Sequence, residues 1–199
     1  MSMVWLDRGL GPASAVLFGL AVIGFGAGLP GYDQGLHPVA LLGAGGVPHA
    51  LAFNLLGWLL PGLLASAVAV RLLQALPADS GWPVRVGGQL LLLAGLAFAA
   101  LGLLPLDLED LDGRSSQWHA SAWMIWALAF VAGSVLVGIG RLRQPGGRAL
   151  GRLALGCGLA TAVLAFALQG VLPAPLAQRL AFACWMLWLA AALPMARPR

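Results

Sequence analysis

The sequence predicts an all-α polytopic membrane protein: one domain over residues 1–199, with six transmembrane helices in three hairpins and both termini cytoplasmic. Three observations carry that prediction. The chain is 60% hydrophobic and only 9% charged, where a soluble domain carries about 25% charged residues. Its apolar residues fall into long continuous segments rather than alternating, which selects helices over barrel strands. Its arginines fall mostly on one side of the alternation that six spans would create.

The segments, in chain order, are Gly11–Leu29, His49–Val70, Gly88–Leu104, Trp118–Ile139, Leu150–Val171 and the shorter Leu180–Leu193. Each approaches the ~20 residues that a helix needs to cross the hydrocarbon. Pro175 and the amphipathic turn at Gln178-Arg179 extend the last one. Arg8 and the small residues Gly26-Ala27-Gly28 give the first segment some features of a signal peptide. Asp7 weakens its basic region, and cleavage would leave the charge pattern unbalanced, so the helix is expected to be retained. Helices 1, 3 and 5 end alike, at Pro30, Pro105 and Pro173, the ordinary stop signal past a helix. Gly24 and Gly28 form a GxxxG pair, and small residues of this kind let helices approach closely in lipid.

Charge gives the orientation. Arg8, Arg71, Arg85, Arg141, Arg143, Arg148, Arg152, Arg197 and Arg199 share one side, and Arg114 and Arg179 the other. Asp33, Asp107, Glu109, Asp110 and Asp112 join the arginine-poor side, which is therefore outer. The net charge of +4 is thus a topology signal and calls for no nucleic acid. Lysine is absent, as in high-GC bacterial genomes, and the expected location is the bacterial inner (plasma) membrane. Cys157 and Cys184 lie within predicted helices as packing residues, with no CxxC. Trp5, Trp82, Trp118 and Trp185 sit near predicted membrane boundaries.

Familiar catalytic signatures are absent. Gly26 to Gly31 reads GxGxxG but ends a membrane helix, where the dipole opposes a phosphate. The chemistry-bearing residues instead gather on the outer side. His37, His49 and His119 all map there, together with Tyr32, Asp33, Asp107 and Asp110, and polar groups at membrane depth are costly enough to suggest function. The glycine-rich turn through Gly43, Gly45 and Gly46 precedes Pro48 and the start of helix 2. Its backbone N–H groups and that helix N-terminus form an expected cradle for a lipid phosphate. Asn54 lies about 140° around the helix from His49 and faces another helix or the same ligand. His119, Trp123 and Trp126 share a helical face, read as packing before ligand cage.

Two stretches, "HPVALLGAGGVPHALAFNLLGWLLPG" and "LLPLDLEDLDGRSSQWHASA", resemble the bacterial and archaeal membrane family DUF998. Its members have an H-x-hydrophobic-S-x-L-G loop before helix 2, an F-x-x-x-G stretch within it, and a Pro-x-Asp…His element near helix 4. Here His37, Leu42, Gly43, Pro48, Phe53, Asn54, Gly57, Pro105, Asp107 and His119 fall on that pattern. Ala40 replaces the usual serine, which removes a serine nucleophile. The layout is more distantly similar to six-helix autophagy modulators and GPI-anchor lipid remodellers. The resemblance implies six helices and assigns no activity.

Three functions are compatible. One is an enzyme acting on a lipid or lipid-linked substrate at the outer face. There His119 would be base or metal ligand, Asp107 or Asp110 would orient it, and His37 and His49 would complete a Zn²⁺ or acid–base set. Another is a lipid-binding or accessory subunit without chemistry. The last is a haem protein with His49 and His119 as axial ligands. Pro61 and Thr161 are the notable mid-helix features, which supports ion-coupled transport poorly.

The topology is directly testable. Reporter fusions after Pro77 and Gln144 should behave as cytoplasmic, and fusions at Gln34 and Gly113 as exported. An exported Gln144 fusion would reverse the orientation.

Overall fold

The computed structural model describes residues 2–168 and 170–196, with side chains from Arg8 onward. Arg197, Arg199 and the side chains of Trp5 and Asp7 therefore lie outside the described residues. The chain forms six long helices: α1 (Ser2–Gly28), α2 (Ala50–Gln74), α3 (Trp82–Leu101), α4 (Arg114–Leu142), α5 (Arg148–Ala167) and α6 (Ala174–Ala196). Each is long and apolar enough to cross a membrane. The six spans are those read from the sequence, with shifted ends. Helix α3 begins at Trp82, because Pro83 suits a first turn and Gly81 precedes it in extended conformation. Helix α5 stops at Ala167, before the left-handed Gly170.

Successive helices pack around a closed ring, α1 on α2 and so on to α6, which returns to α1. The contacts run continuously, so three separate hairpins do not stand apart. Large apolar side chains such as Val16, Leu20, Ile23, Leu93, Leu128 and Leu187 cover the outside. Such a belt suits hydrocarbon and would be costly in water.

The interior is filled with rings. Phe98 of α3 lies 5.5 Å from Phe18 of α1, 5.1 Å from Trp58 of α2, 6.0 Å from Trp126 of α4 and 5.7 Å from Phe182 of α6. Most of these pairs are tilted or edge-to-face, the geometry that aromatic quadrupoles favour. Trp185, expected near a membrane boundary, belongs to this core and is 1% exposed. It packs on Phe130 at 4.7 Å. An indole is amphipathic enough for either place, and the sequence shows only depth along the helix, not which face turns inward.

Small residues set the spacing between helices. A Cβ at Gly87 would stand 2.8 Å from the carbonyl oxygen of Gly133, and one at Gly133 would stand 2.9 Å from that of Gly87. Gly138 and Gly151 make the same kind of seam between α4 and α5. The GxxxG pair is different. Nothing lies within 4 Å of a Cβ at Gly24 or Gly28, so neither sits in a helix–helix seam among the described residues.

Two helices contain a π turn. In α2 it covers Asn54–Leu59, just before Pro61. Proline lacks an N–H and its ring crowds the carbonyl four residues back, which loosens the preceding turn. The freed Pro61 region is held from outside: Ser14 Oγ of α1 donates to the Pro61 carbonyl at 2.9 Å, fully buried. The second π turn, Val163–Ala167, ends α5, with Leu168 N donating to Val163 O at 3.0 Å.

These seams can be checked by thermal melting in detergent. Gly133→Ala should destabilise by about 1–3 kcal/mol through overpacking. Gly24→Ala should stay within about 0.5 kcal/mol of wild type.

Candidate functional site

The loops 29–49 and 102–113 and the turn at 170–173 share one end of the bundle, and all three histidines lie there. They occupy three different settings.

His37 belongs to a compact loop organised by Asp33. The Asp33 carboxylate accepts from Gly35 N at 2.7 Å and Leu36 N at 3.1 Å, an Asx turn. Asp33 N then donates to His37 Nδ1 at 2.9 Å. A ring nitrogen that accepts carries no proton, so the other, Nε2, carries it. The His37 ring stacks on Tyr32 with centroids 5.6 Å apart.

Arg179, at the start of α6, clamps this loop. It donates to Gln34 Oε1 from Nε at 3.1 Å, to the His37 carbonyl at 2.8 Å, to the Pro175 carbonyl at 3.2 Å and to Tyr32 Oη at 2.5 Å. Gln34 reaches on to the Val22 carbonyl of α1 at 3.0 Å. The guanidinium, a rigid fork of donors, thus ties together α1, the first loop and α6. Burial holds the Tyr32 phenol above its ordinary value of 10.0, and the nearby Arg179 charge lowers it by less.

His49 is exposed in left-handed conformation, φ 61° and ψ 15°, where the chain turns into α2. It is the one non-glycine residue at positive φ among those described. Helix α2 begins at Ala50, so Pro48 lies in the turn before the helix, not in its first turn. His49 lines a shallow groove with Leu20, Gly24, Phe25, Gly28, Leu29 and Pro48.

His119 is buried on α4, 7% exposed. Its Nδ1 lies 2.7 Å from the Leu104 carbonyl, and a carbonyl can only accept. Nδ1 therefore carries the proton and Nε2 keeps its lone pair. The orienting group is thus a backbone carbonyl where the sequence suggested a carboxylate. Asp107 and Asp110 turn to other work: Asp107 Oδ1 accepts from Glu109 N at 3.0 Å. Ser116 Oγ lies 3.1 Å from Asp107 O and 3.0 Å from Asp110 O. Among the described residues no three histidine, cysteine, aspartate or glutamate side chains come close enough to share a metal ion.

The glycine turn is used for packing. The N–H groups of Ala44, Gly45 and Val47 go to Leu41 O, Leu106 O and Ala44 O at 3.2, 2.9 and 3.2 Å, which takes them away from a phosphate cradle. Buried Asn54 donates to Gly43 O at 2.9 Å, and a Cβ on Gly43 would collide with the Asn54 carboxamide. Gly46 alone of the three adopts positive φ, 80°, where a side chain would be strained.

What the sequence reading missed is a cavity of about 220 Å³ between α4, α5 and α6, lined by Trp123, Leu164, Ala165, Leu172, Ala174, Ala177 and Gln178. The Trp123 indole N–H is buried without a hydrogen-bond partner. Phe166 packs against the same ring at 6.4 Å, and the π turn of α5 forms the wall. Gln178 Oε1 is 3.4 Å from Val39 N, so the carboxamide joins this cavity to the first loop. The shared face of His119 and Trp123 was the one signal for it in the sequence.

Tyr32 is the single tyrosine of the chain, so alkaline difference absorbance reads it alone. Its midpoint should lie above 10.0, and Arg179→Gln should raise it further by removing the favourable charge. A folded value above the unfolded one adds stability below pH about 10, lost as pH rises through the folded value. Tyr32→Phe should abolish that alkaline loss.

The chain matches the family described as Protein of unknown function (DUF998) over residues 12–194. No curated protein and no solved structure matches it.

Proposed function

The chain belongs to the DUF998 family, and we propose that it binds a membrane lipid or lipid-linked molecule in the cavity between α4, α5 and α6. In this reading the termini are cytoplasmic, in the inner membrane of a bacterium, and the cavity faces the outer leaflet. The arginine asymmetry supports that orientation.

One observation carries the proposal: a mostly apolar cavity at the end of the spans, whose lining includes Trp123, one of four tryptophans with a buried and unpartnered indole N–H among the described residues. A donor left unsatisfied in such surroundings costs on the order of 1–3 kcal/mol. A lipid offers what is missing, an ester or phosphoryl oxygen at headgroup depth attached to apolar chains. Gln178 supplies a second polar contact, and Leu164, Leu172 and Ala177 supply the apolar wall. The aromatic filling around Phe98 supports a binder at the end of the bundle over a carrier with a path through it.

Catalysis by His119 is the second reading, favoured by its fixed tautomer. With Nδ1–H given to Leu104, Nε2 is a neutral base one helical turn from Trp123. His37, His49, Asp107 and Asp110 then serve to shape the loops around the site. The glycine turn and Asn54 hold the first loop against α2.

Mass spectrometry of lipids that co-purify with the protein tests the binding. Trp123→Phe keeps a six-membered aromatic ring and removes the indole N–H together with the five-membered ring that carries it, so it should lose a lipid species and melt somewhat below wild type. Identical lipid content in both proteins would end the proposal. The lipidomes of wild type, deletion and His119→Ala strains separate the two readings. A product missing equally from the last two establishes chemistry, and an unchanged lipidome in His119→Ala leaves binding alone.

A further inference from the structure

The opposite end of the bundle, where the termini emerge, contains a second and larger cavity. Its volume is about 420 Å³, and Ala75, Asp79, Ser80, Arg141, Gln144 and Gly147 are among its lining. Arg141 and Leu150 also line a narrow apolar slot of about 20 Å³ beneath it, walled by Leu72, Leu76, Val84 and Trp188. The mouth is therefore polar and the floor apolar.

Four features give the mouth its chemistry. Arg141 donates to Gln144 Oε1 at 2.9 Å, and no carboxylate pairs with it among the described residues. Ser80 is 8% exposed and its hydroxyl is buried without a partner. Helix α5 begins here behind Gly147, which makes no side-chain cap, so its first N–H groups and positive dipole end face the cavity side. Arg143 and Arg148 are exposed along the adjoining rim. Asp79 is the opposing charge, exposed at the edge. Arg85 is committed to the loop, donating to the carbonyls of Ser80 at 3.0 Å and Ala78 at 2.6 Å. That arrangement fixes the loop that forms one wall.

We propose that this cavity is a binding site for an anionic phospholipid of the leaflet bordering the termini. Its phosphate would be received by Arg141 and Ser80, and its chains would lie along the outer surface of α2 and α3. Charge complementarity selects an anion, because Arg141 lines the cavity beside the start of α5, with Arg143 and Arg148 on the adjoining rim, against the single carboxylate of Asp79 in the lining. Position selects a lipid over a soluble anion: the cavity sits at the ends of membrane-spanning helices whose outer surfaces carry apolar side chains such as Leu63, Val86 and Leu93. Basic pockets between transmembrane helices are a recurrent way to hold anionic headgroups. The site is independent of the one proposed at the histidine end, and Trp123→Phe should not affect it.

Full-length protein in detergent, titrated with phosphatidylglycerol, with phosphatidylcholine of the same chains and with inorganic phosphate, provides the test, with lipid adducts followed by native mass spectrometry. Phosphatidylglycerol should bind at least about tenfold more tightly than phosphatidylcholine, and Arg141→Gln should remove about that advantage. Arg152→Gln, an exposed charge on α5 outside the cavity lining, should bind as wild type does. Ala75→Trp fills the mouth without altering charge and should also lose phosphatidylglycerol, which keeps the test intact if Arg141→Gln does not fold. Equal binding of the two lipids, equal losses in Arg141→Gln and Arg152→Gln, or wild-type binding by Ala75→Trp would each overturn the proposal. Displacement of phosphatidylglycerol by millimolar inorganic phosphate would overturn the lipid as ligand and leave a soluble anion in its place.

Discussion

Phe98 is the point on which the bundle closes. Its ring meets side chains from α1, α2, α4 and α6, so five of the six helices converge on one aromatic group. Inside a bilayer the hydrophobic effect does not draw helices together, and close packing must do so instead. Aromatic rings in edge-to-face contact supply dense, directional packing at the centre. The glycine seams at Gly87, Gly133, Gly138 and Gly151 then let the backbones come close around it. Helix α5 brings no ring to this centre and is held by its seam with α4.

The histidine end follows from a different constraint. A loop at headgroup depth must find partners for its backbone polar groups within the protein. The first loop does so through side chains: Asp33 closes its turn, Asn54 holds Gly43, Gln178 accepts from Val39 N, and Arg179 binds the carbonyl of His37. The residues that looked most chemical in the sequence are largely spent on this. Trp123 shares a buried, leftover donor with Trp58, Trp126 and Trp185 but lines a cavity, and the functional reading rests on that combination.

The six spans were legible because a twenty-residue apolar segment has few alternatives in a chain so poor in charge. The gathering of histidines at one end was equally legible, since helix order alone dictates it. The separate setting of each was not. Whether His119 meets Asp107 or Leu104 depends on how the 102–113 loop folds back, and a backbone carbonyl leaves no mark in the sequence. The same holds for Arg179, which stands 142 residues from His37 and counted only as a charge on the outer side. Trp185 shows the remaining blind spot: depth along a helix can be read from sequence, but which face turns inward depends on neighbours that the sequence does not order.

The two π turns have an evolutionary consequence. Each accommodates one residue more than an α-helical turn would in the same rise, and in α2 the extra residue sits beside Pro61 and Gly102. Removing a residue from an ordinary membrane helix rotates everything beyond it by about 100° and scrambles which side chains face lipid. Removing one from Asn54–Leu59 would simply restore the α-helical register on both sides. These turns are therefore places where a bilayer-spanning helix can gain or lose a residue between lineages without re-sorting its faces, and aligned relatives should gap there before anywhere else in the spans.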